Sequence, residues 1–238
     1  MKTAICLSGE LRSIENCIEG WKEKILPKLG DYDTFYFTWD DDPDKEKLKY
    51  LNQLNLKDII IEPRKTFPEK MYALRKRKEV NVQGLLRQTY CIKRSNQLKQ
   101  KYEKEHNFKY DCVLRLRPDT FIVPDSVFPD VSSANLNELH VFKHDAWFGY
   151  NDRIYFSNSE NMDIVDNRFD FIDTHFRNNG IIQYEILFKT CADYNKIKAA
   201  KHDFRFMLLR TNGSVSYCWE NDPFWSVMWQ FPNLEPIR

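Results

Sequence analysis

The stretch TAICLSGELR, residues 3–12, indicates the fold class. Residues 3–7 form an apolar run that predicts a short buried strand, and Gly9 follows where that strand has to turn. Apolar side chains then recur at helical spacing over residues 14–25, and Ser13 is suited to cap this helix. A strand that leads directly into a helix is typical of α/β domains.

The alternation of strands and helices continues through the first half of the chain. DTFYFTW at 33–39 and DIIIEP at 58–63 predict two further strands with a helix between them. A long helix is predicted over residues 80–106, and YDCVLRLRPDTFI at 110–122 predicts a strand that Pro118 breaks. The later strands have irregular connections. We therefore expect one α/β domain with a mixed, mainly parallel central sheet flanked by helices.

Charge and composition exclude several function classes. The 36 Lys and Arg against 35 Asp and Glu leave a net charge of +1, which gives no overall attraction to nucleic acid or to an anionic membrane. The N-terminal apolar run is too short for a signal peptide, and no run approaches the roughly 20 residues of a membrane span. The six cysteines are at least 11 positions apart, so a CxxC motif is absent and reduced core thiols are expected.

Glycine is scarce, with 7 residues in a chain of 238. The closest two are 10 positions apart, whereas a Walker A loop or a GxGxxG fingerprint needs several glycines within one turn. Both phosphate-binding motifs are therefore absent. A nucleotide bound by this chain has to be held by arginines or a cation instead.

Two segments place polar side chains beyond the carboxyl ends of strands, where ligands bind in open α/β sheets. In the first, Ser8 precedes Gly9, which permits a positive φ or a close backbone approach. The following helix offers free N–H groups to an anion, and Arg12 can form a bidentate phosphate contact. An ordinary turn with a solvent-facing Arg12 is the alternative interpretation.

The second segment is RLRPD, residues 115–119. Arg115 and Arg117 share one face of a predicted central strand, which is costly unless both are partnered. Pro118 ends the strand ladder and places Asp119 beyond it. One carboxylate beside two guanidiniums suits a divalent cation held by Asp119 and diphosphate oxygens, with an arginine assisting. The alternative is an Arg–Asp ion pair that only shapes the bend.

Four stretches together carry a resemblance to a known family: CLSGELRS at 6–13, DTFYFTW at 33–39, VQGLLRQTYCIKRSNQL at 82–98 and YDCVLRLRPDTFI at 110–122. They resemble GT-A glycosyltransferases, nucleotide-sugar-dependent enzymes found among bacterial surface-polysaccharide and large-virus glycan genes. The similarity continues through DRIYFSNSENM and IIQYEIL and spans about residues 3–210.

The resemblance implies a single GT-A-like, Rossmann-like domain over residues 1–238, with a nucleotide-sugar-binding half at 1–125 and an acceptor-side half at 126–238. It implies transfer of a hexosyl, pentosyl or deoxyhexosyl group from a nucleoside diphosphate sugar, UDP rather than GDP, to a hydroxyl of a glycan acceptor. It also implies a cytoplasmic protein, of a bacterium or of an infected host cell, without a transmembrane segment or a nucleic-acid partner.

The same resemblance assigns roles to individual residues. A cation, Mn²⁺ or Mg²⁺, is expected on Asp119, because residues 117–119 occupy the place of the family's DXD motif, although Arg117 replaces its first Asp. The helix before that strand runs near the donor, and for Arg87 and Arg94 both phosphate contact and a solvated face stay open. The expected donor-binding residues are Ser8, Gly9, Arg12, Gln83, Arg87, Tyr90, Arg94, Arg115 and Arg117.

A transfer that inverts the sugar carbon needs a carboxylate to take the proton of the acceptor hydroxyl. Asp152, before the strand RIYFS, and Glu185, in the helix IIQYEIL, are the first candidates, followed by Asp145. Each of these acids has the alternative interpretation of a surface or capping residue.

Three further segments have open interpretations. The acidic run DDDPD at 40–44 contains a DXD string and follows a strand, although consecutive Asp residues before a Lys-rich helix usually form a solvated N-terminal cap. The basic segment 64–79 is the expected closing loop. The aromatic tail with Trp219, Trp225 and Trp229 either docks on the core or offers flat faces to acceptor sugars.

Two other functions are alternatives. A sugar nucleotidyltransferase would use the same kind of sheet, but it needs a glycine-rich loop with a Lys or Arg after the first strand, of which SGELR is a poor version. A non-catalytic glycan-binding module would leave Arg115 and Arg117 without a ligand.

Overall fold

The computed structural model describes residues 1–69, 80–144, 146–179, 181–212 and 215–216. These residues form ten strands and five α-helices. The helices are α1 (Ile14–Lys24), α2 (Val82–His106), α3 (Ser159–Asp166), α4 (Arg168–Asn179) and α5 (Tyr184–Tyr194). The strands are β1 (Lys2–Ser8), β2 (Asp31–Trp39), β3 (Leu56–Glu62), β4 (Cys112–Leu116), β5 (Thr120–Ile122), β6 (Leu139–Phe142), β7 (Ile154–Ser157), β8 (Ala199–His202), β9 (Phe206–Leu209) and β10 (Val215–Ser216).

Seven strands form the central sheet, in the order β3-β2-β1-β4-β7-β6-β8. The first four are parallel, β7 is antiparallel to both of its neighbours, and β6 and β8 are parallel. Ile5 and Leu7 of β1 pack with α1, whereas Ala4 and Cys6 on the opposite face pack with α2, α3 and α5. The expected α/β class, with a mixed, mainly parallel sheet flanked by helices in a Rossmann-like domain, is confirmed.

A small antiparallel sheet, in the order β10-β9-β5, lies beside the central one. Its strand β5 begins at Thr120, directly after Asp119. Trp21 of α1 is fully buried, and its indole N–H donates to the Thr120 carbonyl at 2.7 Å. Helix α1 and the small sheet therefore hold the bend that follows β4.

The segment Lys45–Leu54, expected as an α-helix, is instead a 3₁₀ helix. Its apolar residues Leu48, Leu51 and Leu54 are spaced by three, and a helix with three residues per turn places them on one face. Leu51 and Leu54 are buried on that face. This spacing suits a 3₁₀ helix, in which the three side chains lie in one line along the helix.

Two expectations from composition concern the cysteines and the membrane. Five cysteines are buried free thiols, as expected, and Cys218 lies outside the described residues. Burial raises the pKa of the Cys112 thiol, so this thiol stays protonated and unreactive. Among the helices of the described ranges, none has the length and apolar character that crossing a bilayer requires.

Candidate functional site

A cavity of about 380 Å³ opens at the carboxyl ends of β1, β2 and β4, against the first half of α2. This is the edge at which open α/β sheets bind ligands. The cavity brings together seven of the residues expected at the site: Ser8, Gly9, Arg12, Arg87, Arg115, Arg117 and Asp119. The other lining residues are Glu10, Trp39, Arg64, Asn81, Gly84, Gln88, Cys91, Pro118, Tyr184 and Arg210.

Gly9 makes the turn that brings the end of β1 to the cavity. Its φ is +106°, a conformation that other residues rarely adopt, and no atom lies within 4 Å of where a Cβ would be. Its N–H donates to the Phe37 carbonyl at 3.1 Å, and its own carbonyl accepts from the Tyr36 hydroxyl at 2.6 Å. Glycine is therefore required here by the backbone conformation and not by crowding.

Asp119 is the centre of the charged network. Its Oδ1 accepts from Arg117 Nε at 2.9 Å, and its Oδ2 accepts from Arg117 Nη2 at 3.0 Å and from Arg12 Nη1 at 2.9 Å. Arg210 Nη1 lies 3.5 Å from the same Oδ2. Burial alone would raise the pKa of Asp119, but the three guanidiniums hold it well below its ordinary value.

Local backbone contacts fix the position of Asp119. Pro118 comes two residues after Leu116, the end of β4, and the Thr120 N–H closes the turn on the Arg117 carbonyl at 3.1 Å. The Leu209 N–H donates to the Asp119 carbonyl at 2.9 Å. This hydrogen bond holds the end of β9 against the bend. Arg210, the residue after Leu209, therefore lies at the cavity.

Arg115 is a buried cation with backbone partners. Its side chain is 1% exposed, and its guanidinium donates to the carbonyls of Cys6, Ser8 and Leu116. Its Nε has no hydrogen-bond partner, and no carboxylate of the described residues lies within ion-pair distance. Burial lowers the pKa of Arg115, but an arginine stays charged. Arg115 therefore adds a buried positive charge to the lining of the cavity.

Arg64 and Glu10 extend the network at the end of β3. Arg64 Nη2 donates to Glu10 Oε1 at 2.9 Å, and Arg64 Nε donates to Asp41 Oδ2 at 2.7 Å. Arg12 Nε also reaches Glu10, at 3.3 Å. Six guanidiniums and two carboxylates line the cavity, and with Asp41 counted as the partner of Arg64, three positive charges remain in excess. Such a cavity attracts a multiply charged anion.

Three expected donor-binding residues of α2 lie outside the cavity. The Gln83 side chain accepts from the Phe67 N–H at 3.2 Å, and the Tyr90 hydroxyl donates to Glu62 Oε2 at 2.9 Å. Arg94 Nε donates to Glu62 Oε1 at 2.9 Å. The residues of α2 that line the cavity are instead Gly84, Arg87, Gln88 and Cys91.

Two of the three candidate bases, Asp152 and Glu185, are near enough for the charge of one to act on the other and are here called the carboxylate pair. Asp152 is 4% exposed and Glu185 is 6% exposed, and neither lines the cavity. Asp152 Oδ2 accepts from the side-chain amide of Gln88, which does line it. Burial and the neighbouring Asp152 raise the pKa of Glu185 to about 7. The third candidate, Asp145, lies outside the described residues.

The acidic run at 40–44 serves the local structure. Asp42 Oδ2 accepts from the Thr38 hydroxyl at 2.9 Å and from the Leu11 N–H at 3.3 Å. Its Oδ1 accepts from the Asp44 N–H at 3.0 Å. Asp42 therefore holds the turn after β2 against the turn after β1. Residues 70–79 of the basic segment and the aromatic tail with Trp219, Trp225 and Trp229 lie outside the described residues.

The side chains present do not fit a divalent cation. Both Asp119 oxygens already accept guanidinium N–H groups, and a cation there would displace them while facing their charges. Within the described part of the chain, no group of three or more His, Cys, Asp or Glu side chains is arranged to hold a metal ion.

Glu185→Gln is expected to stabilise the folded protein at pH 8. The unfolded chain loses this proton near pH 4.5 and the folded protein near pH 7, so the charged form costs folding free energy above both values. The raised pKa corresponds to a gain on the order of 3 kcal/mol at pH 8, and the gain shrinks as the pH falls to 5. Urea unfolding of both proteins at the two pH values measures it. Equal differences at pH 5 and pH 8 would contradict the raised pKa.

Several lining residues were not predicted, although their position after a strand could have identified two of them. Arg64 follows the strand predicted at 58–63, and Arg210 directly follows β9, so the rule that ligands bind at strand ends applies to them as it does to Arg12. Gln88 and Tyr184 carry no such signal, because each sits within a helix whose orientation depends on packing.

Comparisons with known proteins give one family and a distant structural neighbour. A crystal structure of a glycosyltransferase involved in the glycosylation of the major capsid of PBCV-1 is 16% identical, with a TM-score of 0.40 over 85% of this chain and 83% of that chain. No curated protein matches the sequence. The family model described as Domain of unknown function (DUF7796) matches residues 1–220. With the match covering nearly the whole length, the chain belongs to this family.

Proposed function

We propose that the protein is a glycosyltransferase that moves a sugar from a nucleoside diphosphate sugar, a UDP-sugar, to a hydroxyl of a glycan acceptor. One observation carries the proposal: six guanidiniums and only two carboxylates line the cavity at the carboxyl ends of β1, β2 and β4. Its volume of about 380 Å³ is in the range of small-molecule sites. A diphosphate is the anion that such a guanidinium-lined space suits best.

The arginines match what the reaction demands of the protein. In glycosyl transfer, the bond between the sugar C1 and the β-phosphate oxygen breaks, and its electron pair stays on that oxygen. A new bond forms between C1 and the acceptor oxygen. Negative charge therefore accumulates on the diphosphate in the transition state, where fixed donors such as Arg12 and Arg117 stabilise it. The Mn²⁺ or Mg²⁺ expected from the sequence remains a prediction, and no step here depends on it.

The acceptor proton needs a base, and Glu185 is the group we assign. Its pKa of about 7 is close to the value at which a general base works best near neutral pH. Burial raises that pKa most, the charge of Asp152 adds to it, and Asp152 itself accepts from Gln88. In the transfer, the hydroxyl proton of the acceptor passes to the Glu185 carboxylate as the new glycosidic bond forms.

Thermal unfolding with nucleotides tests the donor site. UDP at about 100 times its Kd is expected to raise the Tm by roughly 5–10 °C, because binding to the folded state adds about 2.7 kcal/mol to its stability. GDP and CMP are expected to give smaller shifts. Release of UDP from a panel of UDP-hexoses then tests the chemistry. If UDP, GDP and CMP all leave the Tm unchanged, the donor-binding proposal is wrong.

The same experiments separate the proposal from its alternatives. A glycan-binding module would show no nucleotide shift at all. A sugar nucleotidyltransferase would bind a nucleotide but would release pyrophosphate from a nucleoside triphosphate and a sugar phosphate, with no release of UDP from a UDP-hexose. The contact of Asp152 with the lining residue Gln88 supports glycosyl transfer over these alternatives, because that reaction needs a proton acceptor near the donor.

A further inference from the structure

The cluster of Arg12, Arg117 and Arg210 around Asp119, here called the arginine clamp, takes the place where the family resemblance expects a metal ion. We propose that the clamp itself holds and stabilises the donor diphosphate, so that this protein binds UDP and releases it from a UDP-sugar without a divalent cation. Asp119 then orients guanidiniums and is not a metal ligand. The inference rests on the proposed function and specifies how its donor site works.

Guanidinium N–H groups already occupy both oxygens of the Asp119 carboxylate. Arg117 alone uses both oxygens, through Nε at 2.9 Å and Nη2 at 3.0 Å. Arg12 adds a contact at 2.9 Å and Arg210 one at 3.5 Å. The carboxylate is 1% exposed, so a cation could reach it only by displacing these partners. Fork-shaped guanidinium pairs with a carboxylate are among the strongest ion pairs in proteins.

The side chains around Asp119 carry a positive excess, which disfavours a bound cation. A site that binds a nucleotide through Mg²⁺ or Mn²⁺ uses carboxylates to hold the cation against the phosphates. Here the lining has the opposite balance, with six guanidiniums against Glu10 and Asp119. Glu10 is itself paired with Arg12 and Arg64. A dication beside Asp119 would add to this positive excess, whereas a diphosphate neutralises it.

The clamp brings distant parts of the chain together at Asp119. Its three arginines come from three separate places in the fold: the turn after β1, the residue after β4 and the residue after β9. Arg117 uses Nε and Nη2 on Asp119, and Arg12 uses Nε and Nη1 on Glu10 and Asp119. Each of these two guanidiniums therefore has a terminal nitrogen that these pairs do not use. One shared carboxylate thus aligns several phosphate donors at the cavity.

The decisive experiment measures UDP binding to the wild-type chain by calorimetry, in metal-free buffer after removal of EDTA and again with excess MnCl₂. The expected result is a Kd that agrees within about threefold between the two conditions. Release of UDP from UDP-hexoses in EDTA is expected to proceed at a similar rate. Binding that disappears without metal and returns with MnCl₂ would overturn the inference and leave the proposed function standing. Absence of binding in both conditions would instead remove the proposed function.

Two variants test the clamp directly. Arg210→Ala is expected to weaken UDP binding at least tenfold, equally with and without MnCl₂. Asp119→Asn is expected to weaken it as well, because the guanidiniums lose their common anchor, and Arg210→Ala remains informative if Asp119→Asn does not fold. If Arg210→Ala has wild-type affinity, the clamp does not hold the diphosphate. If Asp119→Asn changes only a Mn²⁺-dependent component of binding, Asp119 is a metal ligand.

Discussion

Glu185→Gln is expected to lower kcat for sugar transfer by about 10²–10⁴-fold, the usual contribution of a positioned general base. The amide has nearly the shape of the acid but cannot take the acceptor proton. Because Glu185 does not line the cavity, the Kd for UDP should change by less than about twofold. Release of UDP from UDP-hexoses with acceptor, together with calorimetric binding of UDP, measures both quantities. Together with the expected gain in stability at pH 8, this pattern marks a residue kept for its chemistry.

The pH dependence of the same reaction identifies the base. With Glu185 as the base, kcat/KM rises with pH up to about 7 and is level above it, because only the ionised carboxylate accepts the proton. Burial is the main cause of the raised pKa and the charge of Asp152 the second, so Asp152→Asn moves the midpoint part of the way to lower pH. Glu160→Gln, an exposed acid of α3, is the matched control and leaves the profile unchanged.

A different outcome would reassign the roles within the carboxylate pair. If Asp152→Asn abolishes transfer and Glu185→Gln retains it with an unchanged profile, Asp152 is the base. If both variants keep wild-type kcat, the pair has a structural role only, and Asp145 becomes the first acid to replace.

Arg117→Ala is expected to weaken UDP binding roughly 30- to 150-fold. Charge-assisted bidentate contacts contribute about 2–3 kcal/mol, and Arg117 is both a phosphate donor of the cavity and the main partner of Asp119. Arg117→Lys is expected to recover only part of the affinity, because an ammonium group lacks the planar fork. Calorimetry with UDP measures the three proteins, and urea unfolding verifies that the variants are folded.

Arg94→Ala is the matched control for this substitution. It also removes a half-buried, ion-paired arginine, but its partner is Glu62 and it lies outside the cavity. The Kd for UDP should therefore stay within about twofold of the wild type. Wild-type affinity in Arg117→Ala would support the alternative in which the Arg117–Asp119 pair only shapes the bend. A loss in Arg94→Ala as large as in Arg117→Ala would place the donor on another face of α2.

The turn after β1 and the bend after β4 could be predicted from the sequence, because each depends on one local residue. A glycine at the end of a buried strand allows the φ of +106° that Gly9 adopts. Pro118 cannot continue a strand ladder, so β4 ends at Leu116 and Asp119 lies beyond it. The apolar periodicity likewise predicts α2 to within two residues of its observed start at Val82.

The sequence alone could not predict which face of α2 lines the cavity. Polar residues occur on more than one side of this helix, and Arg87 and Arg94 are one heptad apart. Packing decides the rotation: Leu85, Leu86 and Ile92 are buried, Arg94 turns to Glu62, and Gln88 meets the cavity. Rotation of a helix about its axis depends on its neighbours, which its own periodicity describes only in part.

Local chemistry alone thus predicts that Gly9, Arg12 and Arg117 lie at the strand ends together with an acid at Asp119. The partners of that acid are a property of the tertiary structure. Arg210 lies 91 positions further along the chain and reaches Asp119 because β9 pairs with β5. The spacing of RLRPD is compatible with either a metal ligand or an arginine anchor. The difference lies in how many guanidiniums the folded chain brings to one carboxylate, because charges interact through space and not along the sequence.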